Sequence, residues 1–69
     1  MQKTELKSLI HKINSEPSFA KAEGMLEILN DIFGTKYGFV ARRVVRFDDP
    51  DFEGIAKYMH VHDVENELN

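Results

Sequence analysis

Sixty-nine residues with a formal charge of −3 and no cysteine make one domain, residues 1–69, near the lower limit of independent folding, and exclude disulfide staples and thiolate zinc sites. At 42% apolar and 30% charged, the composition is that of a folded rather than a disordered chain. No apolar run reaches the ~18 residues of a membrane span and the polar start lacks a signal-peptide core, so the expected location is cytoplasmic, without a membrane partner.

The first segment, "TELKSLIHKINSE", places Leu6, Leu9, Ile10 and Ile13 at helical spacing behind Thr4, a residue suited to capping. A helix over 4–15 is predicted. The second opens at "SEPSF", where Ser15 or Ser18 can cap and Pro17 fits a first turn. Ala22, Met25, Leu26, Leu29, Ile32 and Phe33 then recur at helical spacing up to Gly34, a residue suited to the left-handed stop. This predicts a helix over 18–33, antiparallel to the first across the short Glu-Pro-Ser joint. Gly24 inside it costs roughly 1 kcal/mol relative to alanine and marks close approach of another backbone.

Residues 36–47 admit two periods. As one continuous strand they put Tyr37, Phe39, Ala41, Val45 and Phe47 on one face with Arg43 in their midst. As a helix they put Tyr37, Val40, Ala41, Val44 and Phe47 on one side and Arg42, Arg43 and Arg46 on the other, with Phe39 misplaced. A lone strand would leave its backbone groups unpaired, so a helix over 36–47 is expected. The last segment, "DDPDFEG", reads as a helix start. Phe52, Ile55, Ala56 and Met59 continue the stripe over 50–60, with a bend near His60–Asp63 and a short C-terminal turn.

The expected fold is mainly α, a compact domain of three or four helices. The alternative is α+β, two N-terminal helices plus a strand or hairpin within 37–62, in which 39–47 would pair with 55–62. So thin a core implies a homodimer or a partner complex.

The charge is uneven. Lys36, Arg42, Arg43 and Arg46 lie in a run without acids, followed by Asp48, Asp49, Asp51, Glu53, Asp63, Glu65 and Glu67 against Lys57. Arginine is enriched at interface anchors because its planar fork grips carboxylates and lies over aromatic rings. Lys36, Tyr37, Phe39, Arg42, Arg43 and Arg46 are therefore the expected partner-binding residues of a small non-enzymatic regulator or inhibitor that occupies a site on another protein. The acidic tail would steer association, imitate nucleic-acid phosphates, or simply be solvated.

The stretch "LNDIFGTKYGFVARRVV", residues 29–45, resembles part of a helix-turn-helix, with Gly34 as the turn glycine and Leu29, Ile32 and Val40 as locking residues. It departs from that motif at Asn30, Thr35 and Arg43. The resemblance implies a DNA-binding transcriptional regulator, dimeric, in which Lys36, Tyr37, Gly38 and Phe39 open a recognition helix with Arg42 beyond them, and duplex DNA is the partner. In "MHVHD", His60 and His62 with Asp63 fall short of a four-ligand metal site, so no metal or cofactor is expected. There is no phosphate-binding glycine loop, no cysteine nucleophile and no serine–histidine–acid order, so no enzyme is expected.

Overall fold

The two apolar stripes of the N-terminal half fold as their spacing predicts. In the computed structural model, which describes residues 3–47 and 61–69, α1 spans Lys3–Asn14 and α2 spans Phe19–Phe33. Ser18 caps α2, its side chain accepting from the Lys21 amide at 3.3 Å, while Gly34 ends it at φ 66° with its N–H donating to the Asn30 carbonyl. Glycine has no Cβ to clash in that left-handed conformation, so the stop lies where the residue type demands.

The expectation of a mainly helical domain is overturned at residues 36–47. Residues 36–47 form a β-hairpin, β1 (Gly38–Val40) and β2 (Arg43–Phe47), and β3 (Val61–Asp63) adds to β2. The sheet is antiparallel throughout, in the order β1-β2-β3. Gly38 pairs with Val45 and Val40 with Arg43 in the hairpin, while Val45 pairs with Asp63 and Phe47 with Val61 across the second ladder. A short helix α3 (Val64–Glu67), capped by the Asp63 carboxylate on the Asn66 amide, follows directly. The fold is thus α+β. Of the residues the alternative pairing invoked, Arg46, Phe47, Val61 and His62 do lie on paired strands. The helix expected over 50–60 lies outside the described residues.

The objection to strands was unpaired backbone, and a two-residue turn removes it. Ala41 and Arg42 both have positive φ, 51° and 68°, the signature of a type I′ hairpin turn whose twist suits the flanking strands. β1 and β2 therefore find donors and acceptors in each other a few residues away, and β3 supplies the other edge of β2. The usual Asn-Gly signal for this turn is missing, and side chains bear a conformation costing about 1–2 kcal/mol per residue.

One core joins all the layers. Ile10 and Ile13 from α1, Ala22, Leu26 and Leu29 from α2, Val44 from β2 and Val64 from α3 form it, with Tyr37, Phe39 and Leu68 packed at its edge. Ile10 and Val44 are 0% exposed. Burying a side chain of that size contributes about 1.5–3 kcal/mol, so these two positions hold the helices onto the sheet. Two asparagines supplement this packing. Asn14 accepts from the Val44 amide at 2.8 Å and donates to Glu65 at 2.9 Å, tying α1 to β2 and α3. Asn30 donates to the Tyr37 carbonyl and accepts from the Tyr37 amide, both at 3.1 Å, and from the Thr35 hydroxyl at 2.7 Å. It fastens the end of α2 to the start of the sheet.

Candidate functional site: an apolar groove and an occupied arginine hairpin

The arginines do not share a face. Strand alternation sends Arg43 to one side of β2, with Val45 and Phe47, and Arg46 to the other, with Val44, while Arg42 sits in the turn. Each guanidinium is engaged within the chain. Arg43 forms a two-pronged pair with Asp63, at 3.1 and 2.9 Å, and reaches Glu65 at 3.5 Å. Arg46 forms another with Glu67, at 3.0 and 2.7 Å. Arg42 donates to the Glu16 carbonyl at 2.6 Å and lies 4.9 Å over the Phe19 ring, fixing the hairpin tip to the α1–α2 joint. Two-pronged geometry strengthens such pairs, but partly exposed ones still contribute only about 0–1 kcal/mol each.

The aromatic members of the expected patch turn inward. Phe39 packs edge-on against Phe19, ring centroids 5.1 Å apart, and borders the core, as does Tyr37. Burial pushes the Tyr37 hydroxyl up from its ordinary pKa, the Glu67 carboxylate pushes in the same direction, and Arg46 opposes them. Lys36 is exposed on the connection between α2 and β1. The recognition helix implied by the helix-turn-helix resemblance is absent, because Gly38 and Phe39 stand in a strand. Asn30, a misfit in that motif, is the residue that fastens the strand.

The acids following the hairpin act partly as internal counterions. Arg43's hydrogen bond, assisted by the Asn66 amide and Arg43's charge, holds the Asp63 carboxyl below its usual range against the effect of burial. Asn14, then His11 at 2.8 Å, do the same for Glu65. Asp48, Asp49, Asp51 and His60 lie outside the described residues. His62 is part of β3, and among the described residues no group of three metal-ligating side chains comes together.

The opposite side of the molecule carries an open apolar groove of about 290 Å³. Leu9 and Ile13 of α1 and Met25, Ile28, Ile32 and Phe33 of α2 line it, with Lys12 on its rim. Ile28 is 62% exposed, Ile32 63% and Leu9 41%. The stripe read from the sequence omitted Ile28, which lies one helical step outside the core-facing arc. With Ile28 included, the apolar arc of α2 is wider than one packed face requires, and that surplus was the available signal. Gly24 lies on the same outward side, four residues before Ile28, and among the described residues nothing lies within 4 Å of where its Cβ would be. The close approach it was expected to mark is not made by any described residue.

Among the described residues no helix is long and apolar enough to cross a membrane. No protein-family model, no curated protein and no solved structure matches this chain.

Proposed function

We propose that this chain is a small non-enzymatic protein-binding regulator, and that it binds an amphipathic helix of another polypeptide in the groove between α1 and α2. The observation that carries the reading is the exposure of Ile28 and Ile32 beside Leu9 at the lip of a preformed apolar channel. Single exposed aliphatics are ordinary, but several contiguous ones lining a channel are what helix-in-groove recognition uses. The arginine hairpin supports the same choice indirectly. Its guanidinium groups already hold carboxylates and carbonyls of their own chain, so an external acid would have to displace them. The contact is therefore placed on the apolar side, with Lys12 available to orient the incoming helix.

The test is a photoreactive amino acid placed singly at positions 28, 32, 36 and 42, with position 8 on the outer side of α1 as background, in cells making the chain. Discrete covalent protein adducts should form from 28 and 32 above the level at 8. Adducts confined to 36 and 42 would return the contact to the arginine hairpin and overturn the reading.

A further inference from the structure

We infer that the helix received by this groove is α2 of a second copy of the same chain, docked antiparallel about a two-fold axis. The inference rests on the groove reading above and names its partner. Two features of α2 and its neighbour are self-complementary under that one operation, and a third, the cost of Gly24, is explained by it.

The first is size. Ala20, Gly24, Ile28 and Ile32 are all exposed and spaced by four, forming one ridge with two small members followed by two large ones. Ridges of this kind pack into the grooves of a like ridge. Reversing a second copy about the midpoint of the ridge sets Ile28 beside the partner's Gly24 and Ile32 beside the partner's Ala20. The open space at Gly24 is then filled by a branched side chain. A parallel arrangement would oppose large to large and leave the small half empty.

The second feature is charge. Lys12, which lines the groove, and Lys21 lie near the joint that connects the helices, whereas Glu5 and Asp31 lie toward the far ends of α1 and α2. Antiparallel docking brings the basic end of each copy over the acidic end of the other, and it also opposes the two helix dipoles. The third feature is Gly24 itself. A glycine in a helix interior lowers helix stability, and no packing among the described residues offsets the loss. An interface that needs the missing side chain gives it a reason. An isologous contact requires one patch to match itself, and this patch does.

The experiment is sedimentation velocity of the full chain over a wide concentration range, with circular dichroism on every variant. Wild type should be a reversible dimer whose thermal midpoint rises with protein concentration. Ile28→Asp and Gly24→Leu should each weaken dimerisation about a hundredfold or more while leaving the helical signal intact, since both positions are exposed in the monomer. Lys12→Glu with Lys21→Glu should weaken it, and adding Glu5→Lys with Asp31→Lys should restore it. That rescue is the outcome expected when the basic end of one copy lies over the acidic end of the other. A chain that stays monomeric at every concentration, or a dimer indifferent to Gly24→Leu, overturns the inference. If position 28 then photo-attaches to a different protein, the groove reading survives and only the choice of partner fails. If it attaches to residues 48–60 of its own chain, both fail.

Discussion

Replacing Asn30 by alanine gives opposite answers according to whether this residue is a helix-surface residue or a clamp. Counted as helix alone, Asn30→Ala should stabilise α2 by roughly 0.5 kcal/mol, because alanine is the better helix former. The structure gives Asn30 a different task. Its side chain satisfies both the N–H and the carbonyl of Tyr37 and also takes the Thr35 hydroxyl. The site is half-buried, so water partly replaces the lost partner, and each stranded backbone group then costs about 1 kcal/mol, the low end of the usual range. Losing the Thr35 contact adds about 0.5 kcal/mol. Subtracting the propensity gain leaves a net destabilisation of about 2 kcal/mol. For a domain of this size that lowers the melting temperature by roughly 8–16 °C. Thermal denaturation followed by circular dichroism reads the shift. Amide exchange at Tyr37 should accelerate, and Asn30→Asp, which keeps the acceptor oxygen, should fall between the two. A variant as stable as wild type, or more so, would show that the hydrogen bonds to Tyr37 contribute nothing.

Ala41→Asn should stabilise the hairpin by about 1 kcal/mol, because asparagine tolerates the positive φ that alanine occupies there at a cost, and urea midpoints with unchanged slope would register it. Asp63 and Glu65 have folded pKa values below their unfolded ones, so their stabilisation is present above about pH 4 and is lost as pH falls through the folded values. Asp63→Asn should flatten that acid limb, by no more than about 1 kcal/mol for so exposed a pair, in denaturation midpoints taken from pH 6 to about 2. Tyr37 titrates above its ordinary value, so its contribution is intact below about pH 10 and declines as pH rises through the folded value; Tyr37→Phe should remove that alkaline limb from the same midpoint series taken upward. Gly34→Ala should destabilise by about 1 kcal/mol in thermal melts, since it forces a Cβ into the left-handed cap.

The helical half was legible because its signals are local. Repeats of three and four, a serine cap and a terminal glycine act within a few residues, and α1 and α2 begin and end within one residue of their expected limits. The hairpin was harder to read for a specific reason. An unbroken alternation from Tyr37 to Phe47 gives the wrong faces, because Ala41 and Arg42 form the turn and the phase restarts at Arg43. That restart puts Arg43 beside Asp63, where its charge is paired, rather than unpaired in the core. With alanine and arginine in place of asparagine and glycine, nothing in the turn announced itself. The partner of β2 was also remote, since β3 begins at Val61, and pairing at such separation leaves no short-range mark. The arginine cluster was real as a run in the sequence, but a strand distributes neighbours to opposite sides. Its members were thereby delivered to three different anchors inside the fold. The groove is not legible in the stripe because Ile28 fits the core pattern of α2 poorly and stands outside it.

Because Phe47 and Val61 face each other across a ladder, the chain leaves the sheet and returns to it at nearly one point in space, about 5 Å apart. The two positions therefore fix each other: a change that pulls Phe47 out of register displaces Val61 with it, and with Val61 the strand that presents Asp63 to Arg43.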